Sequence, residues 1–283
     1  MIKIRKAYNS CARFIKGLAA NKGWSRPGFC LGLISLLSEV RAIETASVLA
    51  KMRCHLDEAK DKDNVKGIII GRAFCLAALI KSQRATESAE IFAQILGELF
   101  KILRSREYLR QLVVELVLEQ LTTAAGEEII TAALRDNINE QLTRIGPELT
   151  TDPDLALLLF RLKQLKIVSD SQFRVFWGSV DVLSNENGSK QTKNFEKLKT
   201  LLNSATKRHP KRHPLVDLIC SIALKSEHFA EFWKAYEKDL QRLTWEKKFV
   251  AMDGESLPYC IGKLVHIVTQ SPYEKIITYP YNL

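Results

Sequence analysis

Two kinds of short pattern place enough charge at close spacing to do chemistry. The first is the D-x-D pair, which occurs twice, as Asp61 with Asp63 and as Asp152 with Asp154. Two carboxylates one residue apart can share a divalent cation, because Mg²⁺ and Ca²⁺ take oxygen ligands. Their surroundings point to plainer roles. Asp61 and Asp63 lie in the charged stretch 57–66 between two apolar faces, as expected of a solvated connector. Asp152 precedes Pro153, and an aspartate N-cap followed by proline at the first helical position is how a helix starts. No other motif suggests catalysis: there is no glycine-rich phosphate loop, no H-E-x-x-H and no G-x-S-x-G, and the five histidines form no ligand set. No catalytic residue, metal ligand, cofactor or small-molecule substrate is therefore expected, and the chain reads as a non-enzyme.

The second pattern is basic. Lys207-Arg208-His209-Pro210-Lys211-Arg212-His213-Pro214 is a tandem K-R-H-P, with four permanent cations and two imidazoles in one loop. Lys207, Arg208, Lys211 and Arg212 can clamp phosphates, or serve as a small nuclear-import patch. The same residues also fit a solvated connector whose prolines stop one helix and start the next. The loop has no interleaved aromatic ring, so base stacking is not suggested there. A second group, Arg13, Lys16, Lys22 and Arg26, sits in a stretch with no acidic residue before Glu39. An acid-free start of this kind can be a mitochondrial transit peptide. Because it runs straight into core-like sequence, we read it as a first helix with a basic solvent face.

Composition bounds what these residues can belong to. The chain has 283 residues, 46% hydrophobic and 26% charged, which is enough to bury a sizeable core and unlike a disordered chain. A net charge of +10 favours acidic partners, nucleic acid first. The six cysteines are widely spread without a C-x-x-C pair and read as small buried hydrophobes in a reducing compartment. The best apolar run, Phe29 to Leu37, is far short of the roughly 20 residues a membrane-spanning helix needs, so no membrane partner is expected.

The elements that must position the charges are helices. Ile91, Phe92, Ile95, Leu96, Leu99, Phe100 and Leu103 trace one helix face, and Leu109, Leu112, Val113, Leu116, Val117 and Leu121 trace the next after the polar break 104–106. The rhythm returns at Leu155–Leu162, Leu198–Ala205 and Leu215–Ile222. Phe229, Phe232, Trp233, Tyr236 and Leu240 form an aromatic face that reads as core. Gly146-Pro147 reads as a helix stop, Thr86 and Ser226 as caps, and 184–193 and 206–213 as surface loops. Helices of about 10 to 20 residues with short connectors and no strict period predict an all-α, irregular HEAT- or armadillo-like solenoid. A compact helical domain is the alternative. Residues 1–146 are assigned to a first helical-repeat half, 147–270 to a second half continuous with it, and 271–283 to a C-terminal tail.

Several of these residues also carry a resemblance. Tyr8, Arg13-Phe14-Ile15-Lys16-Gly17-Leu18-Ala19, Arg26-Pro27-Gly28-Phe29, Leu33 and Leu36-Leu37 are similar to a basic "R-L-I-x-G-L-A" helix followed by "A-R-x-G-F" and a leucine-rich helix. That is the pattern of the Myb-binding protein 1A (DNA polymerase phi) family. Gly71 to Ser82 resembles the family's "G-R-L-F-G-L-L-A-L-x-x-S" helix. Weaker similarity continues through Phe176 to Leu183, His213-Pro214-Leu215 and Phe229-x-x-Phe232-Trp233, to about Leu264. The resemblance implies an armadillo-like scaffold in the nucleus and nucleolus, linked to ribosomal RNA transcription, ribosome biogenesis and transcription regulators. Its implied partners are rDNA or rRNA and transcription or ribosome-assembly proteins. A purely protein-binding helical adaptor, a transcription co-regulator without nucleic-acid contact, is the rival reading. The polymerase in the family's name is not reflected here, since no Y-G-D-T-D-type aspartate pair is present. Family members are much longer, so the chain is expected to be one part of a longer scaffold.

Overall fold

The computed structural model describes residues 2–59, 62–124, 129–183, 192–208, 213–223, 226, 230–232 and 234. Among the described residues every regular element is helical, so the fold is all-α, as the periodicity predicts. The chain divides into two compact units, Met1–Ile145 and Gly146–Leu283.

The first unit holds α1 (Ile2–Leu18), α2 (Arg26–Glu39), α3 (Thr45–His55), α4 (Val65–Lys81), α5 (Ala89–Ser105), α6 (Arg110–Thr123) and α7 (Ala132–Ile145). Consecutive helices pair, α1 with α2, α3 with α4 and α5 with α6. Alternate helices then stack, α2 on α4, α4 on α6 and α1 on α3. Pairing within a hairpin and stacking between hairpins is how helical repeats build a continuous core. The helix α4 is mostly apolar and sits at the centre, buried from Gly67 to Ile69 and again from Cys75 to Ile80. The stretch 67–70 is therefore helical, not a strand.

Two close approaches explain glycines in the sequence patterns. A Cβ on Gly17 would stand 2.5 Å from the ring of Phe29, and one on Gly32 would stand 3.0 Å from the ring of Phe14. Each helix of the α1–α2 pair thus seats a phenylalanine over the other's glycine. At Gly71 an added Cβ would meet the Leu18 carbonyl at 3.1 Å, so this glycine lets α4 approach the last turn of α1.

In the second unit α8 (Pro153–Gln164) is the hub. It contacts α9 (Asp170–Trp177), α10 (Thr192–Arg208) and α11 (Pro214–Ala223). Every residue from Pro153 to Phe160 is buried, because neighbours cover it on all sides. Phe160, Phe173 and Trp177 form one aromatic cluster with centroids 5.1 to 6.4 Å apart, and Phe232 packs edge-on against Phe195 at 5.6 Å. Phe232 is core, as read from the sequence; Phe229, Trp233, Tyr236 and Leu240 lie outside the described residues.

Local signals were legible with one shift. Asp152 accepts from Asp154 N and Leu155 N as the N-cap of α8. Gly146, at φ +67°, follows the end of α7. The cap of α5 is Ser88, whose Oγ accepts from Ile91 N at 3.2 Å, and not Thr86. Ser226 donates to Asp181 Oδ2, and most of the helix it was expected to cap lies outside the described residues. Among the described cysteines Cys11, Cys30 and Cys75 are buried, while Cys54 is exposed on α3 against expectation. No helix among the described residues is long and apolar enough to cross a membrane.

Candidate nucleic-acid interface

The helix α1 sorts its residues by face. Cys11, Ile15 and Leu18, at spacings of four and three, are fully buried, while Arg5, Lys6, Arg13 and Lys16 are exposed. The turn after it keeps Lys22 exposed, and a short 3₁₀ segment, Gly23–Ser25, leads into α2. Arg26 plays a different part: it is half-buried, and its Nε donates to the Ala20 carbonyl at 3.0 Å, closing the connector.

Several cations elsewhere in the first unit are ion-paired: Arg53 with Glu98 at 3.2 Å, Arg72 with Glu58 at 3.0 Å and Lys81 with Glu119 at 2.7 Å. In the second unit Lys163 faces Asp170 and Lys199 faces Glu196. Among the described residues no ion pair joins Arg13, Lys16 or Lys22 to a carboxylate. Exposed and not ion-paired, these three side chains can face a phosphate, with Asp57 the carboxylate that shares a pocket with Lys16. At the same end of the unit a pocket of about 330 Å³ opens between Lys16, Asn21, His55, Asp57, Asn64 and Ile68.

The tandem K-R-H-P is divided by the fold. Lys207 and Arg208 end α10; their side chains, and all of His209, Lys211 and Arg212, lie outside the described residues. His213 does not belong to a solvated clamp. Its side chain is only 1% exposed, with Nε2 3.1 Å from Asp154 Oδ1, while Nδ1 accepts from Leu215 N at 3.1 Å. An accepting Nδ1 places the ring proton on Nε2, which then donates to Asp154; the tautomer is assigned from these bonds. His213 thus caps α11 and ties it to the start of α8. The same bonds account for the second D-x-D pair: Asp152 caps α8 and Asp154 holds His213, both buried and not solvated. Of the first pair, Asp63 is exposed in a short 3₁₀ segment, Lys62–Asn64, and Asp61 lies outside the described residues.

Sequence reasoning missed Trp24. It is 79% exposed at the tip of the α1–α2 connector, with Lys22 Nζ 5.8 Å from its ring centroid. The signal was present in Lys22-Gly23-Trp24-Ser25-Arg26, an aromatic interleaved between cations, but tryptophan is so often core that only the fold marks it as exposed.

A family model, DNA polymerase phi, matches residues 9–252, most of the chain. No curated protein and no solved structure matches it.

Proposed function

The chain belongs to the DNA polymerase phi family, and from that premise we propose that it is a non-enzymatic scaffold of the nucleus and nucleolus. In this reading it binds rDNA or rRNA, together with transcription or ribosome-assembly proteins, in support of ribosomal RNA transcription and ribosome biogenesis. The mechanism is display of a charged surface, with no bond made or broken. The observation that carries the nucleic-acid part is the face formed by Arg13, Lys16 and Lys22, which form no ion pair among the described residues. Neutralising phosphates there releases counterions, which makes affinity fall steeply with salt.

Two features favour this reading over a purely protein-binding adaptor or a polymerase. Among the described residues the exposed large hydrophobic residues, Trp24, Leu31, Tyr108 and Val175, come from four different elements, unlike the continuous strip that grips a partner helix. Of the two D-x-D pairs, Asp152 and Asp154 have structural partners of their own.

The test is equilibrium binding to duplex DNA and to RNA over a salt series. We expect the triple replacement Arg13→Gln, Lys16→Gln, Lys22→Gln to weaken binding and to flatten the salt dependence by roughly 0.9 per lost phosphate contact on duplex DNA. The set Lys207, Arg208, Lys211 and Arg212, replaced together, measures the second patch separately. An unchanged salt slope in both variants would remove the nucleic-acid reading. Nucleotide incorporation by the purified chain, abolished by Asp152→Asn with Asp154→Asn, would overturn the non-enzymatic one.

A further inference from the structure

The end of the first unit that carries Lys16 and Lys22 also gathers aromatic rings. Asn64 Nδ2 donates to the Ala19 carbonyl at 2.8 Å, which ties the start of α4 to the end of α1. Lys66 stands two residues beyond Asn64, and its Nζ lies 5.2 Å from the ring centroid of Tyr108. Tyr108 is 51% exposed in the 3₁₀ segment Glu107–Leu109, and Trp24 is 79% exposed in the α1–α2 connector. Two rings on separate connectors therefore face solvent, each with a lysine beside it, on the end of the unit where Lys16 and Lys22 form no ion pair among the described residues.

Burial does not explain either ring. A large aromatic left in water forgoes its favourable transfer from solvent, and both rings are more than half exposed. Duplex recognition does not need them, since stacked bases inside a duplex offer their edges and not their faces. Single strands do present faces, and ring stacking beside a backbone-tracking row of cations is how they are held without sequence readout. We propose that this end of the first unit binds single-stranded nucleic acid, stacking bases on Trp24 and Tyr108 while Lys16, Lys22 and Lys66 hold phosphates. The proposal rests on the nucleic-acid reading above and narrows it to a strand state.

The experiment is fluorescence anisotropy with the full chain and three labelled probes of about 12 units each: an oligouridylate, an oligothymidylate and an RNA duplex. We expect Trp24→Ala to weaken both single-stranded probes by about 5- to 100-fold, the range set by loss of one stacked base. Tyr108→Ala acts in the same direction, Trp24→Phe recovers most of the loss, and the duplex changes less than about twofold for want of an exposed base face. The salt slope stays that of the wild type in Trp24→Ala and drops in Lys22→Gln, which separates stacking from charge. Both rings are exposed, so thermal unfolding of the alanine variants should match the wild type. A stronger effect on the uridylate than on the thymidylate identifies RNA as the natural strand; equal effects support either. Unchanged single-strand affinity in Trp24→Ala with Tyr108→Ala, or an equal loss on the duplex, overturns the proposal while leaving salt-dependent binding intact. Failure of every probe to bind at low salt defeats both this proposal and the reading beneath it.

Discussion

Arg84 shows how much one side chain can organise. It is 3% exposed, and its guanidinium donates to the Leu37 carbonyl through Nε and Nη2, to the Val40 carbonyl, and to Glu87 at 2.5 Å. Glu87 in turn accepts from Thr45 Oγ1, so one planar fork closes the end of α2, the start of α3 and the α4–α5 turn. Arg84→Met keeps the volume but strands the carbonyls, and we expect about 3 kcal/mol of lost stability by urea denaturation. Arg84→Lys should recover only part of this, because an ammonium cannot fork. The buried thiols set a second expectation. Burial pushes Cys11 from its ordinary 9.0 up to about 11, against a weaker pull from Lys51, and burial likewise raises Cys30 and Cys75. The folded state therefore keeps neutral a thiol that the unfolded chain ionises near pH 9. Stability is full below that pH and declines as pH rises through about 11. Unfolding temperatures measured across this range should fall less steeply in Cys11→Ala than in the wild type.

Helices depend on contacts that propensity does not reveal. Glycine costs a helix interior roughly 1 kcal/mol relative to alanine, so α1 and α4 would be better helices with alanine at positions 17 and 71. Both glycines are tolerated because a neighbour occupies the space. At Gly71 that neighbour is the Leu18 backbone, which cannot swing aside. Gly71→Ala should therefore destabilise by about 1 to 3 kcal/mol despite its better propensity, and a rise in the denaturation midpoint would contradict the close packing seen here. In the second unit Phe160 of the hub helix α8 packs against Phe173 and Trp177 of α9. Phe160→Ala should cost about 3 to 5 kcal/mol, readable in chemical denaturation. The helix periods, the Asp152 start and the Gly146 stop were plain from residue order. Ser88 displaced Thr86 as a cap because its hydroxyl alone reaches Ile91 N, a matter of backbone geometry two residues wide.

For the whole molecule the controlling quantity is how its charge of +10 is distributed. Paired cations brace helices against one another, and unpaired ones project a field. Binding to polynucleotides should weaken steeply as salt rises, and the surface pairs that brace the fold should respond to the same salt far less. A binding curve and an unfolding curve recorded over one salt series can check this together.

Residue order alone determined the all-α class, the positions of most helices, the family resemblance and the two basic groups. These follow from local causes: a period of 3.6, a cap or a proline acts within one turn, and charge can be counted. Tertiary structure decided which members of a pattern serve which end. It removed His213 from the basic loop by pairing it with Asp154, 59 residues away in the chain. It turned Arg26 inward to a carbonyl, left Lys16 and Lys22 without an ion pair among the described residues, and left Trp24 in solvent. Counter-charges and exposure depend on which distant elements pack together, and no spacing within one segment contains that information.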